Sequence, residues 1–485
     1  MKSIQKCVIP YPNEVRRLPI TETDFPIGAA KRLATPMDLS EYGYVEEEYI
    51  VGGNANVYSW PKTEERPVIT GEGPYRTRIL VRKPADPGRF SGVVAIESFN
   101  GSYKVDHANA GWGLNHEYLI ASGDAWIGYT KDGNCVESLL TINPERYAGL
   151  GYPNPKPAAE RGEPGWDPFL EYCKLHNARF PITIDPAYER GLTYDAMYQI
   201  VALARRCGPG DPFEGYGVRR VIAFGINDYN THVAALHPYL RLAGGRPAVD
   251  GYLMYMSGEG GQLNFNEDCF ALDDERCRRT CDVPVIKIET SGDLRGDLPH
   301  PLWAALWRCE DGDAPGRQMR WYEIPGLGVA AAFRSDELFF VCDEDYQKVG
   351  KVEPNVYPYW NQMSRHIMVG AYHNLKQWVD GGILPPKADR ISLHGRYPDI
   401  VLDLDADGNH IGGIRHTYLE VPIARFGEDS SIVMFDREKR DRLYPTKRDY
   451  VMKVRESAER MVKDRWIRPE AVAALVEQAE SLDWA

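Results

Sequence analysis

A polar turn after the apolar run 221–224 is the place in this sequence where a nucleophile is expected. The turn reads GINDYN (225–230) and leads into a predicted helix over 234–240. Strand, sharp turn and helix form the context of the nucleophile elbow G-x-S-x-G, which exposes a serine above a sheet. Here Asn227 takes the serine position and Tyr229 takes the place of the second small residue, with Asp228 between them. Because an amide cannot be activated by a base as a hydroxyl can, the pattern predicts an elbow without its usual nucleophile.

Two later turns are the places where an acid and a histidine would complete a triad in the chain order Ser, Asp or Glu, His. After the apolar run 283–288, Asp293 is the better candidate acid and Glu289 the weaker one. After the run 321–324 the sequence reads PGLGVA (325–330), and no histidine lies between His300 and His366. The sequence therefore predicts an acid without its histidine.

The turn after the run 93–96 reads ESFNGSYKVDH (97–107) and is expected to line the same cavity. Asn100 and Gly101 are candidates for a backbone N–H that stabilises an oxyanion, although Asn-Gly also suits any tight turn. The other polar candidates around the cavity are Tyr103, Lys104, Asp106, His107, Lys131 and Arg295. For His107, a purely structural role is the commoner outcome for a lone histidine.

The order of apolar runs predicts the sheet that positions these turns. Seven short runs rich in apolar residues read as buried strands, at 79–82, 93–96, 125–129, 221–224, 252–256, 283–288 and 321–324. Helical stretches separate most of them, and 194–206 has apolar residues at helical spacing before Gly208-Pro209-Gly210. Such alternation predicts an α/β fold with a mostly parallel sheet and helices on both faces. Ligands bind such a sheet beyond the carboxyl ends of its strands.

The domain organisation predicted from the sequence has three parts. Residues 1–75 form a strand-rich lead-in, 76–430 form the core, and 431–485 form C-terminal helices that join near Arg468-Pro469. Within the core, residues 134–190 are rich in proline, glycine and aromatic residues and read as an inserted cap.

Composition limits the classes of partner. The 485-residue chain has a net charge of −13 and no basic tract, which disfavours nucleic acid and anionic membranes. Its first residues lack the apolar stretch of a signal peptide, and nine cysteines are an odd number that suits reduced thiols. We therefore expect a cytoplasmic protein with a small-molecule substrate and no cofactor, and the composition leaves a homo-oligomer open.

Two local patterns could suggest metal ions. Cys269, Cys277 and Cys281 match no zinc spacing, so a surface segment with incidental thiols is the favoured interpretation. The run DADG (405–408) follows Asp403 like the start of an EF-hand loop, but Ile414 stands where the bidentate glutamate belongs. A hairpin turn is the favoured interpretation there, and we predict no metal.

Several long segments together resemble the bacterial family of alpha/beta hydrolase domain proteins. They are GYVEEEYIVGGNANVYSW (43–60), YRTRILVRKPADPGRFSGVVAIE (75–97), VRRVIAFG (218–225), WYEIPG (321–326), DADGNHIGGIR (405–415) and the last helices from Tyr450. The resemblance implies an α/β-hydrolase fold with esterase-like activity. By position, the family's serine falls on Asn227, its histidine on Val329 and its acid on Asp293.

Three classes of function follow from these replacements. The first is an enzyme that runs a non-hydrolytic reaction, of lyase or isomerase type, by acid–base chemistry without a serine. The second is a hydrolase, either a conventional esterase or one in which Asp228 attacks carbon. The third is a ligand-binding protein that has lost catalysis.

Overall fold

The structure is a computed structural model. It describes residues 2–3, 7–33, 35–101, 105–108, 111–162, 185–226, 228–256, 263–265, 276, 281–295, 304–328, 348–349, 358–395, 399–428 and 431–484. The strands are β1 (Lys2–Ser3), β2 (Cys7–Val8), β3 (Glu14–Leu18), β4 (Tyr44–Ser59), β5 (Val68–Pro84), β6 (Val93–Ser98), β7 (Ala125–Tyr129), β8 (Arg220–Ile226), β9 (Leu240–Arg241), β10 (Gly251–Tyr255), β11 (Val285–Thr290), β12 (Met319–Ile324), β13 (Leu393–His394), β14 (Val401–Leu402), β15 (Ala424–Phe426) and β16 (Ile432–Met434). The α-helices are α1 (Trp112–Ser122), α2 (Gly133–Ile142), α3 (Gly191–Arg206), α4 (Asp228–Leu236), α5 (Ser291–Arg295), α6 (Pro358–Gly381), α7 (Thr417–Glu420), α8 (Arg437–Leu443), α9 (Lys447–Lys463) and α10 (Glu470–Ser481).

The chain divides into two compact units. The first unit comprises residues 1–252, 259–283 and 336–354, and the second comprises 253–258, 284–335 and 355–485. Strand β10 begins in the first unit and ends in the second.

The sheet of the first unit has the order β8-β6-β7-β5-β4-β3, and β1 pairs with β5. Strand β6 lies between β7 and β8 and is parallel to both, with Val94 opposite Ala125 on one side and Val221 on the other. Central parallel strands are covered on both faces, so they need continuous apolar runs. The runs 93–96, 125–129 and 221–224 satisfy this need, and the strands predicted there are confirmed.

The other half of this sheet is an antiparallel extension. Strands β4 and β5 have 16 and 17 residues and pair along nearly their full length, with one irregularity between Val57 and Tyr58. Helix α3 lies against β4 and buries nearly every side chain, which confirms the helix predicted over 194–206. The α/β architecture with a mostly parallel central sheet is thus confirmed, and an antiparallel hairpin extends it.

In the second unit, β11 and β12 are parallel, with Ile286 opposite Arg320, and β10 is the neighbour of β11. The C-terminal segment contains helices α9 and α10. Helix α9 begins at a capping box in which Thr446 and Asp449 exchange hydrogen bonds, and Pro469 precedes α10. Helix α6 packs closely on the turn after α9, since a Cβ at Gly370 would lie 2.1 Å from the carbonyl oxygen of Trp466.

Candidate functional site

The predicted elbow lies between β8 and α4. Strand β8 ends at Ile226 and α4 begins at Asp228, so one residue separates strand from helix. This is the order of elements that the sequence predicts at an elbow. Asn227 itself lies outside the described residues, and only the backbone of Asp228 is described.

Tyr229, in the first turn of α4, is tied to two other elements. Its hydroxyl donates a hydrogen bond to the carbonyl oxygen of Thr193 at 2.9 Å and accepts one from the hydroxyl of Tyr129 at 3.0 Å. The ring of Tyr194 stacks on it with 5.0 Å between centroids. Burial raises the pKa of Tyr229 well above its usual value, so the phenol stays protonated at neutral pH. Tyr229 therefore fixes the start of α4 against β7 and α3.

Lys131 and Asp132 form an ion pair just beyond the carboxyl end of β7. The ammonium nitrogen of Lys131 lies 2.8 and 2.7 Å from the two carboxylate oxygens of Asp132, and 5.1 Å from the ring centroid of Tyr229. The two side chains are 14% and 31% exposed, so solvent reaches both. Lys131 was expected near Tyr229 from the strand order, whereas Asp132 was missed because an aspartate before a helix also reads as a cap.

The turn after β6 meets this ion pair at Gly101. A Cβ at Gly101 would lie 2.6 Å from Oδ2 of Asp132 and 2.8 Å from Sγ of Cys135, so a larger residue there would displace the side chains of Asp132 and Cys135. The backbone N–H of Asn100 donates to the carbonyl oxygen of His107 at 3.0 Å. Because that N–H is engaged, Gly101 remains as the backbone candidate for an oxyanion donor in this turn.

His107 and Asp106 are buried in the same turn. Nδ1 of His107 lies 3.1 Å from the carbonyl oxygen of Val105, and since a carbonyl only accepts, Nδ1 carries the proton. Oδ2 of Asp106 pairs with Nε of Arg78 at 3.1 Å and accepts from the hydroxyl of Thr130.

The pair of Asp106 and Arg78 belongs to a wider buried network. Glu48 binds Nη1 of Arg78 at 2.9 Å and Nε of Arg146 at 2.7 Å. All four of these charged side chains are buried, and two positive charges balance two negative ones. These contacts give Asp106 a structural role in holding Arg78.

In the second unit, Asp293 lies in α5, the short helical turn that directly follows β11. Its Oδ2 accepts hydrogen bonds at 2.7 Å from both the backbone N–H and the hydroxyl of Thr290. Its Oδ1 is buried and has no hydrogen-bond partner among the described residues. Burial raises the pKa of Asp293 to about 6, although the bonds from Thr290 favour the charged form.

The turn of Asp293 is fastened to the turn after β12. The hydroxyl of Ser291 donates to the carbonyl oxygen of Leu327 at 2.8 Å and accepts from its N–H at 3.1 Å. The N–H of Gly292 donates to the same carbonyl at 2.9 Å. The two turns predicted to carry the acid and the histidine are therefore adjacent. Val329 lies outside the described residues.

The side chains of three further predicted site residues lie outside the described part of the structure. Tyr103 and Lys104 lie outside the described residues, and only the backbone of Arg295 is described, in α5. Their predicted roles stay predictions.

Sequence reasoning missed a contact between β10 and α6. The hydroxyl of Tyr255, at the end of β10, lies 2.9 Å from the hydroxyl of Ser364. Burial raises the pKa of Tyr255, and the nearby charges of Asp293 and Glu289 raise it further. More than 100 residues separate the two hydroxyls, and no local pattern signals such a pair.

One cluster has the residue types of a metal site. His237, Cys281 and Asp282 bring one donor atom each within 4.8 Å of the others. Nδ1 of His237 lies 2.6 Å from Oδ1 of Asp282 and 3.4 Å from Sγ of Cys281, while Nε2 accepts the N–H of Val249 at 3.3 Å. A nitrogen that accepts an N–H is unprotonated, so Nδ1 carries the proton and is not poised to bind a metal. Arg241 also pairs with Asp282, and the cluster is therefore structural.

The acidic run that resembles an EF-hand forms a turn, as predicted. Oδ1 of Asp405 accepts the N–H groups of Asp407 and Asn409 at 2.9 Å each, and its Oδ2 pairs with Arg415 at 2.9 Å. Asp405 is thus engaged by the turn and by a guanidinium. Cys269 and Cys277 lie outside the described residues.

The comparisons with known proteins give one matching family and several similar solved structures. The sequence model of the family described as alpha/beta hydrolase domain matches residues 10–477. A structure described as a dienelactone hydrolase from Klebsiella pneumoniae is similar to this chain, with 11% sequence identity and a TM-score of 0.28. The match covers 61% of this chain and 94% of that chain. A glucuronoyl esterase from Solibacter usitatus is similar as well, with 8% sequence identity and a TM-score of 0.29. That match covers 72% of this chain and 86% of the esterase.

A cold-adapted esterase from an Arctic intertidal metagenomic library is also similar, with 9% sequence identity and a TM-score of 0.28. The match covers 57% of this chain and 84% of that esterase. The comparison with curated protein sequences gives no match. Within the described residues, no helix has both the length and the apolar character needed to cross a bilayer.

Proposed function

Because this chain belongs to the alpha/beta hydrolase domain family, we propose that it is an enzyme that acts on a small organic substrate without a serine nucleophile. The proposed reaction is of lyase or isomerase type and depends on proton transfer beside a carbonyl group. Asp132 is the base, and Lys131 stabilises the negative charge that develops on the carbonyl oxygen.

The observation that carries this proposal is the ion pair at the end of β7. It lies where a parallel sheet binds its ligands, beyond the carboxyl ends of the strands. Both side chains are partly exposed, and they are held between the ring of Tyr229 and the turn at Gly101. An ammonium group has three donors, and among the described residues Asp132 accepts two of them, which leaves the third N–H as the proposed donor to a substrate oxygen.

The proposed step balances without a cofactor. A carboxylate oxygen of Asp132 takes the proton from the carbon next to the carbonyl, and the C–H electron pair moves toward the carbonyl oxygen. Lys131 binds that oxygen as its charge grows. Return of the proton at another carbon completes an isomerisation, and loss of a group from the neighbouring carbon completes an elimination.

The other predicted site residues keep narrower roles in the proposal. Gly101 is the candidate donor to the oxyanion, and Tyr229 positions α4 and the cation. Asn227, Asp228, Asp293 and His107 stay predictions for the catalytic set, as do Asn100, Tyr103, Lys104 and Arg295 for substrate binding. Cytoplasmic placement and a homo-oligomeric state are also proposals.

Proton exchange in D₂O tests the proposal directly. The full-length protein is incubated with a panel of 2-oxo acids, β-keto esters and unsaturated lactones, and NMR follows deuterium incorporation. We expect Asp132→Asn to lower the exchange rate by about 10²-fold or more, the usual contribution of a general base. Lys131→Met is expected to raise KM and lower kcat, while Lys62→Met and Asp399→Asn, at exposed positions, leave both unchanged.

The same panel separates the other functional classes. Ester hydrolysis that survives Asp132→Asn would replace the proposal with a hydrolase, and intact mass after substrate addition would then reveal an ester on Asp228. Binding without turnover of any panel member would indicate a ligand-binding protein. Gain of esterase activity in the double variant Asn227→Ser, Val329→His would show that the triad positions are correctly aligned.

A further inference from the structure

Tyr188 lies near the end of the segment predicted as the cap, and its backbone is tied to the chain that follows α2. Its N–H donates to the carbonyl oxygen of Asp185 at 3.0 Å, and the residue forms an isolated antiparallel bridge with Pro153. The next N–H, of Glu189, donates to the carbonyl oxygen of Tyr152 at 2.9 Å. These bonds fix the position from which the side chain of Tyr188 projects.

The ring of Tyr188 packs at the ion pair of Lys131 and Asp132. A Cβ at Gly133, the residue after Asp132, would lie 3.0 Å from Cδ2 of Tyr188 and 3.1 Å from its Cγ. The ring therefore lies on the backbone at the start of α2. It also meets the ring of Tyr152 edge to face, with 5.7 Å between centroids. Tyr188 is thus held next to the carboxylate that we propose as the base.

The hydroxyl of Tyr188 is buried and has no hydrogen-bond partner among the described residues. Two neighbouring phenols are engaged. Tyr152 donates to the carbonyl oxygen of Thr130 at 2.7 Å, and Tyr229 donates to that of Thr193 at 2.9 Å. Because buried hydroxyls in native proteins are nearly always hydrogen-bonded, the free hydroxyl of Tyr188 calls for an explanation. A substrate oxygen that accepts its proton supplies one.

The charge of Asp132 acts on this phenol. Burial raises the pKa of Tyr188 well above its usual value, the negative charge of Asp132 raises it further, and the charge of Arg190 opposes this in part. The hydroxyl therefore keeps its proton at neutral pH. It lies close enough to Asp132 to respond to its charge, yet the two groups make no hydrogen bond with each other. A substrate between them would meet a proton acceptor and a proton donor.

From the buried free hydroxyl and its place beside Gly133, we propose that Tyr188 is a further catalytic residue, the general acid that protonates a leaving oxygen. The inference rests on the proposed function and narrows it to an elimination. An isomerisation can return its proton from the base that removed it, whereas a departing hydroxide or alkoxide needs a second proton donor. The substrate class is then a carbonyl compound with a hydroxyl or ether oxygen on its β-carbon.

The elimination balances with these two groups. Asp132 takes the proton from the α-carbon, the C–H electron pair forms the new C=C bond, and the C–O bond breaks with its electron pair on oxygen. That oxygen leaves with the proton of Tyr188. The proton held by Asp132 then passes to the phenolate of Tyr188, which restores both groups.

Elimination from two ethers of the same ketone tests the inference with the full-length protein. Loss of methanol from 4-methoxybutan-2-one needs a proton on the leaving oxygen, whereas 4-(4-nitrophenoxy)butan-2-one releases a nitrophenolate that is stable without one. We expect Tyr188→Phe to lower kcat/KM by about 10²-fold for the methoxy ether and by less than about twofold for the nitrophenoxy ether. Tyr42→Phe is the matched control at a residue that is 45% exposed, and it is expected to leave both values unchanged.

Deuterium exchange into butan-2-one, which has no leaving group, reads the proposed base separately. Phenylalanine keeps the ring on Gly133, so we expect Tyr188→Phe to keep the Tm and the exchange rate of the wild type, while Asp132→Asn loses exchange. Exchange that depends on Asp132, with no elimination or with equal elimination of the methoxy ether by Tyr188→Phe, would overturn the role of Tyr188 alone. An equal loss with both ethers would also overturn it, because it would indicate a structural role. Neither exchange nor elimination in the wild type would remove both proposals.

Discussion

A histidine pair in the second unit, in which His416 is buried and His366 is half-buried, makes stability sensitive to acid. Nδ1 of His366, on α6, lies 3.1 Å from Nε2 of His416, and the rings stack with 5.3 Å between centroids. Nδ1 of His416 accepts the N–H of Tyr418, so Nε2 of His416 holds the proton and donates it to His366. Both rings are therefore neutral. Burial, and then the charge of Arg365, lowers the pKa of His366 to about 4, and burial lowers the pKa of His416 as well.

The size of the effect follows from the pKa of His366. An unfolded chain binds this proton near pH 6.5, and the folded protein binds it near pH 4. The difference of about 2.5 in pKa, at 1.36 kcal/mol for each, gives about 3 kcal/mol. Because the folded state resists protonation, this stability is fully present above pH 6.5 and is lost as the pH falls toward 4. At pH 5 about 2 kcal/mol is already lost.

Urea unfolding at pH 7 and pH 5 measures this loss. The free energy of unfolding of the wild type falls between pH 7 and pH 5. We expect this fall to be smaller by about 2 kcal/mol in His366→Gln, because glutamine does not titrate. His394→Gln is the matched control, since the side chain of His394 is 66% exposed. If His366→Gln and the wild type lose the same free energy of unfolding between pH 7 and pH 5, the assignment of a neutral histidine pair is wrong.

Two further predictions concern stability. Gly370→Ala places a methyl group 2.1 Å from the carbonyl oxygen of Trp466. We therefore expect the free energy of unfolding in urea to fall by about 2 kcal/mol or more. Gly381→Ala is the control and is expected to cost less, because its methyl group meets only the side chain of Ile383, at 3.8 Å. Glu48→Gln removes the carboxylate that holds Arg78 and Arg146, and we expect a loss of about 3–5 kcal/mol with a lower Tm. Exposed Glu72→Gln should leave the Tm unchanged, and an unchanged Tm for Glu48→Gln would contradict the role of the network.

The strands of the central sheet were predictable because each needs a continuous apolar run. The runs at 93–96 and 221–224 are short, buried and bounded by polar turns, and both became strands at nearly the predicted bounds. The length of β5 was not predictable from its apolar part at 79–82. Residues 70–73 alternate glycine with polar side chains and form part of the strand because β4 pairs with them.

The candidate site was predictable only where strand order brings its residues together. Lys131 and Tyr229 each follow a strand, and the parallel sheet places both turns at one edge. The bonds of Tyr229 to Tyr129 and Thr193 join three elements far apart in sequence, and no local spacing encodes them. His366 and His416 are likewise 50 residues apart, and each alone reads as an ordinary helix or loop histidine.

The two oxygens of the Asp293 carboxylate differ in their hydrogen bonds, and this difference has a consequence for substitutions nearby. Its Oδ2 accepts two hydrogen bonds from Thr290, whereas its buried Oδ1 has no donor within the part of the chain that the structure describes. The neighbouring turn at Leu327 is bonded to the same segment through Ser291. A single substitution that brings an N–H donor to this turn would meet an acceptor that is already in position. Such a substitution would satisfy the buried Oδ1 without disturbing the two bonds from Thr290.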